Sequence, residues 1–185
     1  MLVVTSTTIE AVKIIVPAYH ADSRGELCET YNRNRFVEHG IALEFVQDTQ
    51  SLSVKAGTIR GLHFQSSPEA QGKLARVLRG SIFVVAVDLR RSSPSYGKWT
   101  AEKLSAADGR QMLVPVGFAH GFCTLEPDTS VFYKLTACYS PAHDLGVAWN
   151  DPDLAIDWPV PPGQAILSDR DMRLPKFNSL PAYFE

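Results

Sequence analysis

The chain has 185 residues, 45% of them hydrophobic and 21% charged, enough apolar side chain to bury a proper core and too much for disorder. A net charge of -2 supplies no field for nucleic acid, so a basic site, if there is one, is local. Cys28, Cys123 and Cys138 are odd in number and form no CxxC pair, which fits a reducing compartment and neither a disulfide framework nor a zinc site.

The N-terminal stretch "MLVVTSTTIEAVKIIVP" breaks its apolar runs with Glu10 and Lys13. It lacks the basic-then-apolar order of a signal peptide, and no stretch approaches a membrane span, so a soluble cytoplasmic protein with no membrane partner is expected. Thr8 to Val16 reads as an edge strand closed by Pro17, which has no N–H for a ladder. Strands of this kind often pair outside their own domain. Asp22-Ser23-Arg24-Gly25 is turn chemistry, and the segment with Tyr31, Phe36 and Val37 suits a short helix. "IALEFVQDTQSLSVKAG" gives a strand to about Ser53, with Gln47 inside it, and then a turn.

The stretch from Thr58 to Arg76, "TIRGLHFQSSPEAQGKLAR", crowds Arg60, His63, Gln65, Lys73 and Arg76 into apolar strand-like sequence. Alternation sends Arg60, Leu62 and Phe64 to one face and Ile59, Gly61, His63 and Gln65 to the other. If Arg60 and His63 serve one pocket, Gly61 should mark a bulge or a close backbone approach that re-aims one of them. Lys73 then opens the return strand. Several cations on adjacent strands repel one another, an arrangement that suits an anionic ligand such as a phosphate.

"SIFVVAVDLR" is apolar on both faces until Asp88, which in an all-β chain predicts a strand covered on both sides. "RSSPSYGKW" is a turn-rich crossover, "TAEKLSA" a short strand and "ADGR" a tight turn. "QMLVPVGFAHGF" interrupts a strand at Pro115 and Gly117 and delivers His120 between small neighbours that leave it reachable. In "TSVFYKLTACYS" the alternation points Tyr133 to an apolar face, where a buried phenol needs a partner. The remainder is rich in Pro, Asp and Trp, without periodicity, and should wrap the domain as ordered loop. Many short strands punctuated by Gly and Pro predict an all-β jelly roll or barrel.

Metal-binding jelly rolls carry HxH followed by a carboxylate. Here "LHF" has a single histidine and His120 is far off in sequence, so no functional metal is expected. No GxGxxG turn, phosphate-cradling loop or GxSxG elbow is present, which leaves nicotinamide and serine hydrolase chemistry without support.

The ordered motifs "DSRGELCE", "FVQD", "IRGLHFQ", "QGKLARV", "VAVDLRRSSPSYGKW", "LVPVGFAHGF", "FYK", "YSP", "WNDPDLAIDWP" and "LSDRD" resemble the dTDP-4-dehydrorhamnose 3,5-epimerases from roughly residue 16 to 175. The resemblance implies an all-β, cupin-like double-stranded β-helix jelly roll with short peripheral helices, spanning 1–185 as a single domain. It implies a homodimer joined partly through an N-terminal strand (about 1–17), a C-terminal wrapping segment (about 141–185), and no cofactor. The implied substrate is a dTDP-4-keto-6-deoxyhexose, whose C4 ketone acidifies the protons at C3 and C5. Epimerisation there needs a base on one face, an acid on the other and a group that holds the enolate oxygen.

By the same resemblance His63 is the base, oriented by Asp171, Tyr133 is the acid on the opposite face, and Lys73 is the cation for the enolate. Arg24, Arg60 and Arg170 match diphosphate and nucleotide contacts, and Tyr139 matches the position that stacks on thymine. Glu29, Gln47, Thr49, His120 and Asp144 match other substrate contacts. Thr49 stands where Asn is usual, Asp144 where Glu is common and Val84 where an acidic residue is usual. A relative that epimerises only C3 or C5 would need the same base and acid, so the residues leave that alternative open. A non-catalytic sugar-nucleotide binder would have no reason to keep His63, Asp171, Lys73 and Tyr133 together.

Overall fold

The computed structural model describes residues 1–185, except for the side chain of Pro162. The strands in chain order are β1 (Val3–Ser6), β2 (Lys13–Val16), β3 (Tyr19–Asp22) and β4 (Gly25–Cys28), followed by one helix, α1 (Arg33–Glu38). Then come β5 (Gln47–Ser53), β6 (Ile59–Gln65), β7 (Lys73–Arg79), β8 (Ser81–Asp88), β9 (Trp99–Ser105), β10 (Gln111–Val114), β11 (Phe118–Thr124), β12 (Thr129–Leu135) and β13 (Asp144–Gly146). They build a six-stranded sheet in the order β1-β2-β10-β7-β12-β5, a five-stranded sheet β13-β6-β11-β8-β9, and the separate hairpin β3-β4. All strand pairings are antiparallel, and the two large sheets form a cupin-like jelly roll.

Side-chain alternation accounts for the layers. Ile82, Val84 and Ala86 of β8 meet Ile14, Val77, Met112, Val114 and Val131 of the six-stranded sheet in the core between the sheets. Val85 and Val87, pointing the other way, are covered by Leu154, Phe177, Leu180 and Phe184 of the C-terminal segment. This second cover explains why β8 is apolar on both faces, since each fully buried aliphatic side chain contributes roughly 1.5–3 kcal/mol. The outer face of the six-stranded sheet is closed by α1, whose Phe36 packs on Ile15, Leu74 and Leu113. Asn32 caps that short helix, its side-chain oxygen accepting from the backbone N–H groups of Asn34 and Arg35.

The N-terminus differs from the single edge strand expected over Thr8–Val16. Thr7 closes a turn, its N–H donating to the Val12 carbonyl and its hydroxyl to that of Ile9, and the chain folds back as the hairpin β1-β2. The sheet edge is therefore β1, while β2 lies inside the sheet against β10. The polar run Ser6-Thr7-Thr8 is the turn that makes this possible. Residues of the C-terminal segment pack on the five-stranded sheet, and the segment also adds a short edge strand, β13, beside β6. No helix among the described residues is long and apolar enough to cross a membrane. Cys28, Cys123 and Cys138 are all free thiols.

Candidate active site

A cavity of about 780 Å³ opens between the two sheets. Its walls follow from strand register. On the six-stranded side, Tyr133 lies opposite Thr49 of β5 and Ala75 of β7, and Leu135 lies opposite Gln47 and Lys73. Directly opposed residues share a face, so Gln47, Thr49, Lys73 and Tyr133 all point inward. Arg76, three positions beyond Lys73, pairs with Phe132 and Gln111 on the other face; it takes no part in the cavity lining.

On the five-stranded side the expected irregularity at Gly61 is present. His63 lies opposite His120, yet Arg60 lies opposite Phe122, so β6 spends one more residue than β11 between the two pairs. His120 and Phe122 are two apart and share a face; Arg60 and His63 are three apart and, through this bulge, share it too. Gly61 has φ +117°, and a Cβ there would come within 2.7 Å of the His120 carbonyl oxygen and 2.8 Å of the Gly121 Cα. Only glycine fits that backbone approach. The same register makes His63 and His120 neighbours, although they are far apart in sequence.

Asp171 arrives from the C-terminal segment, guided by the parallel bridge between Thr58 and Ile166. Its Oδ1 accepts a 2.6 Å hydrogen bond from His63 Nε2–H, and Oδ2 faces the Gly61 N–H at 3.4 Å. Burial alone would raise the Asp171 carboxyl; the bonds from His63, the Gly61 N–H and Ser168 hold it below its ordinary value. An ionised carboxylate on Nε2 fixes the imidazole tautomer and leaves Nδ1 as the nitrogen that can take a proton. Tyr133 stands on the opposite sheet. Burial raises its phenol strongly, only partly offset by nearby Ser51 and Arg60, so the hydroxyl keeps its proton and can donate it.

Lys73 has no ion-pair partner among the described residues; its ammonium faces the His63 carbonyl at 3.5 Å. Burial pushes it down to about 8, with Asp144 opposing the shift and Arg170 adding to it. Arg60 is held by neutral acceptors, donating to Ser53 Oγ at 3.1 Å and the Leu52 carbonyl at 3.0 Å, so its charge remains available to an anion. At the rim, Asp144 Oδ2 accepts from Tyr139 Oη at 3.1 Å and pairs with Arg170 Nη1 at 2.7 Å. Gln47 fixes the start of this rim by accepting from the Tyr139 N–H and donating to Thr49.

Eleven of the sequence-derived candidates thus line one cavity: Gln47, Thr49, Arg60, His63, Lys73, His120, Tyr133, Tyr139, Asp144, Arg170 and Asp171. Arg24 and Glu29 do not. Arg24 sits on the β3-β4 turn with its side chain 88% exposed and bound to Asp22, and Glu29 pairs with Arg35. Gln65, named in the sequence with the Thr58–Arg76 cluster, lines the cavity as well, and so do Ser51 and Ser168, which were not singled out. Gln65 is buried and anchors the Ser140 N–H and the Glu69 and Cys138 carbonyls, bracing the loops around the mouth. Ser51 was legible in principle, as it continues the two-residue period of Gln47 and Thr49 along β5.

A jelly roll whose cavity sets a carboxylate-backed imidazole on one sheet and a protonated phenol on the other, with a lysine and arginines in the same lining, is of the acid–base isomerase class. The family model described as dTDP-4-dehydrorhamnose 3,5-epimerase matches residues 6–179, and the chain belongs to that family. It is 47% identical over 180 residues to the dTDP-4-dehydrorhamnose 3,5-epimerase of Sinorhizobium fredii, covering 97% of this chain and 92% of the relative. The crystal structure of the Bacillus anthracis dTDP-4-dehydrorhamnose 3,5-epimerase, with TDP and PPi bound, superposes with a TM-score of 0.92 at 49% identity, over 95% of this chain and 99% of that one. The dTDP-6-deoxy-D-glucose-3,5-epimerase of Legionella pneumophila, in complex with dTDP-4-keto-L-rhamnose, gives 0.93 at 42% identity, over 98% and 96%.

Proposed function

We propose that the protein converts dTDP-4-dehydro-6-deoxy-D-glucose to dTDP-4-dehydro-L-rhamnose without a cofactor, by removing and returning protons at C3 and C5. The observation that carries this reading is the placement of the His63–Asp171 pair and Tyr133 on opposite sheets of one cavity, because inversion at carbon requires a base and an acid on opposite faces of the sugar. His63 takes the proton through Nδ1, and Asp171 supports the imidazolium that forms. Lys73 stabilises the enolate oxygen, where a well-aimed donor is typically worth ~3 kcal/mol. Tyr133 returns a proton to the other face. Arg60 and Arg170 hold the diphosphate, and Tyr139 stacks on the base at the mouth.

The working unit in this reading is a homodimer of single-domain chains in the cytoplasm, with contacts through the N-terminal strands and with residues 141–185 as the wrapping segment. The exposed β3-β4 hairpin supports it: Arg24 and Glu29 lie outside their own cavity, so any substrate contact they make is to a second copy. Incubation with the 4-keto sugar nucleotide in deuterated water, followed by NMR of the product, tests the function. Deuterium at both C3 and C5 with inversion at each is expected. Inversion at one carbon alone would make the protein a mono-epimerase, and no exchange at either would overturn the catalytic reading.

A further inference from the structure

His120 is 5% exposed and lines the cavity. Its Nε2 is sealed in without a hydrogen-bond partner among the described residues, while Nδ1 is not enclosed in that way. The register explains the orphaned atom. His120 lies opposite Ala86 of β8, with Val84 opposite Phe122 and Asp88 opposite Phe118. Val84, Ala86, Phe118 and Phe122 are all buried apolar core, and the Tyr133 ring stands edge-on at 5.9 Å. Asp88, the carboxylate nearest in register, is committed to Arg90, Ser93 and Ser95.

An enclosed N–H without an acceptor costs more than an enclosed lone pair, and orphaned buried N–H groups are correspondingly rare. The proton of a neutral His120 therefore belongs on Nδ1. An imidazolium would place an N–H at both nitrogens. Burial disfavours it first, then the charges of Lys73 and His63 that face the ring from β7 and β6, and together these hold His120 well below the usual histidine range.

We propose that His120 works as a neutral imidazole whose Nδ1–H is aimed at a sugar oxygen in the cavity, and that Val84 is the positioning residue that fixes this state by denying Nε2 a polar partner. The proposal rests on the cavity being the sugar-nucleotide site and adds to that reading an atom, a tautomer and a residue outside the cavity wall. The state has a chemical use. A neutral imidazole polarises a carbonyl or steadies an enolate oxygen, but is too weak an acid to protonate it and so leaves proton return to Tyr133. Val84 and His120 are diagonal neighbours across β8 and β11, a separation of roughly 7 Å that an imidazole and a carboxylate or amide at position 84 can bridge.

The test is nitrogen-15 NMR of histidine-labelled full-length protein without substrate, from pH 5.5 to 9, with the His120 signals assigned through His120→Gln. In the unaltered protein His120 should show the proton on Nδ1 and no titration between pH 5.5 and 8. Val84→Asp should move the proton to Nε2 or make the ring titrate within that range. Val84→Asn, which offers an uncharged acceptor, should shift the tautomer without the charge. A His120 in the unaltered protein that titrates near 6.5, or that carries its proton on Nε2, overturns the proposal even if neither variant folds. An unchanged tautomer in both folded variants overturns the part given to Val84. Because no substrate is present, failure of the epimerase reading would leave these spectra unaffected, and the two ideas fail separately.

Discussion

Asp171 Oδ1 lies 2.6 Å from His63 Nε2, although the two residues are 108 positions apart in the chain. The carboxylate comes from outside the sheet that carries the imidazole, so the ring's support is supplied by a separate segment. Asp171→Asn keeps the size and removes the charge that sustains an imidazolium. Turnover is expected to fall by roughly 10²–10⁴, with dTDP affinity nearly unchanged by titration calorimetry. Equal losses in binding and turnover would place Asp171 in a purely structural role.

Tyr133 and His63 line one cavity from different sheets, and their variants should fail differently. His63→Asn leaves no base, so neither exchange nor epimerisation is expected in deuterated water. Tyr133→Phe keeps the base and the ring packing against Phe122 but loses the phenolic proton. Substrate should then take up deuterium with its configuration retained, or epimerise far more slowly than it exchanges. Epimerisation at the normal rate in Tyr133→Phe would remove it as the acid.

Lys73, held at about 8 by burial, is charged below that pH and neutral above it. A charged ammonium is the form that stabilises an enolate, so kcat/KM should decline as pH rises through about 8. Lys73→Met should abolish that alkaline limb and cost about 10² in rate. A limb that persists unchanged in Lys73→Met belongs to another group.

Arg60, held only by neutral acceptors, should act on the diphosphate. Arg60→Ala is expected to weaken dTDP and the full sugar nucleotide alike, each by about 10–100-fold for loss of a charge-assisted bond. Unchanged dTDP affinity would move Arg60 to the sugar end of the cavity.

The proposed mechanism gives its steps to His63, Lys73 and Tyr133 and calls on no metal ion. Activity should survive exhaustive chelation; loss on chelation with recovery on adding zinc, manganese or iron would contradict that.

How much of this could be read from the residues alone depended on the range of the interaction. β12 follows from local alternation and β8 from its unbroken apolar run, and the Gly61 bulge was legible because Arg60 and His63 needed it to share a face. The β1-β2 hairpin was missed because a threonine turn interrupts apolar runs only weakly. The pairing of His63 with His120 depends on register between distant strands, which no local pattern encodes. Arg24 shows the converse limit: a motif can match while the residue lies outside the cavity of its own chain.

The descent of Asp171 from the C-terminal segment also orders events during synthesis. His63, Lys73, His120 and Tyr133 all precede residue 136, so the strands that carry them leave the ribosome well before the carboxylate that supports the base. A nascent chain can close its sandwich and still lack a competent catalyst. Only when the last turn of chain lies down along Thr58 does the imidazole acquire its carboxylate partner.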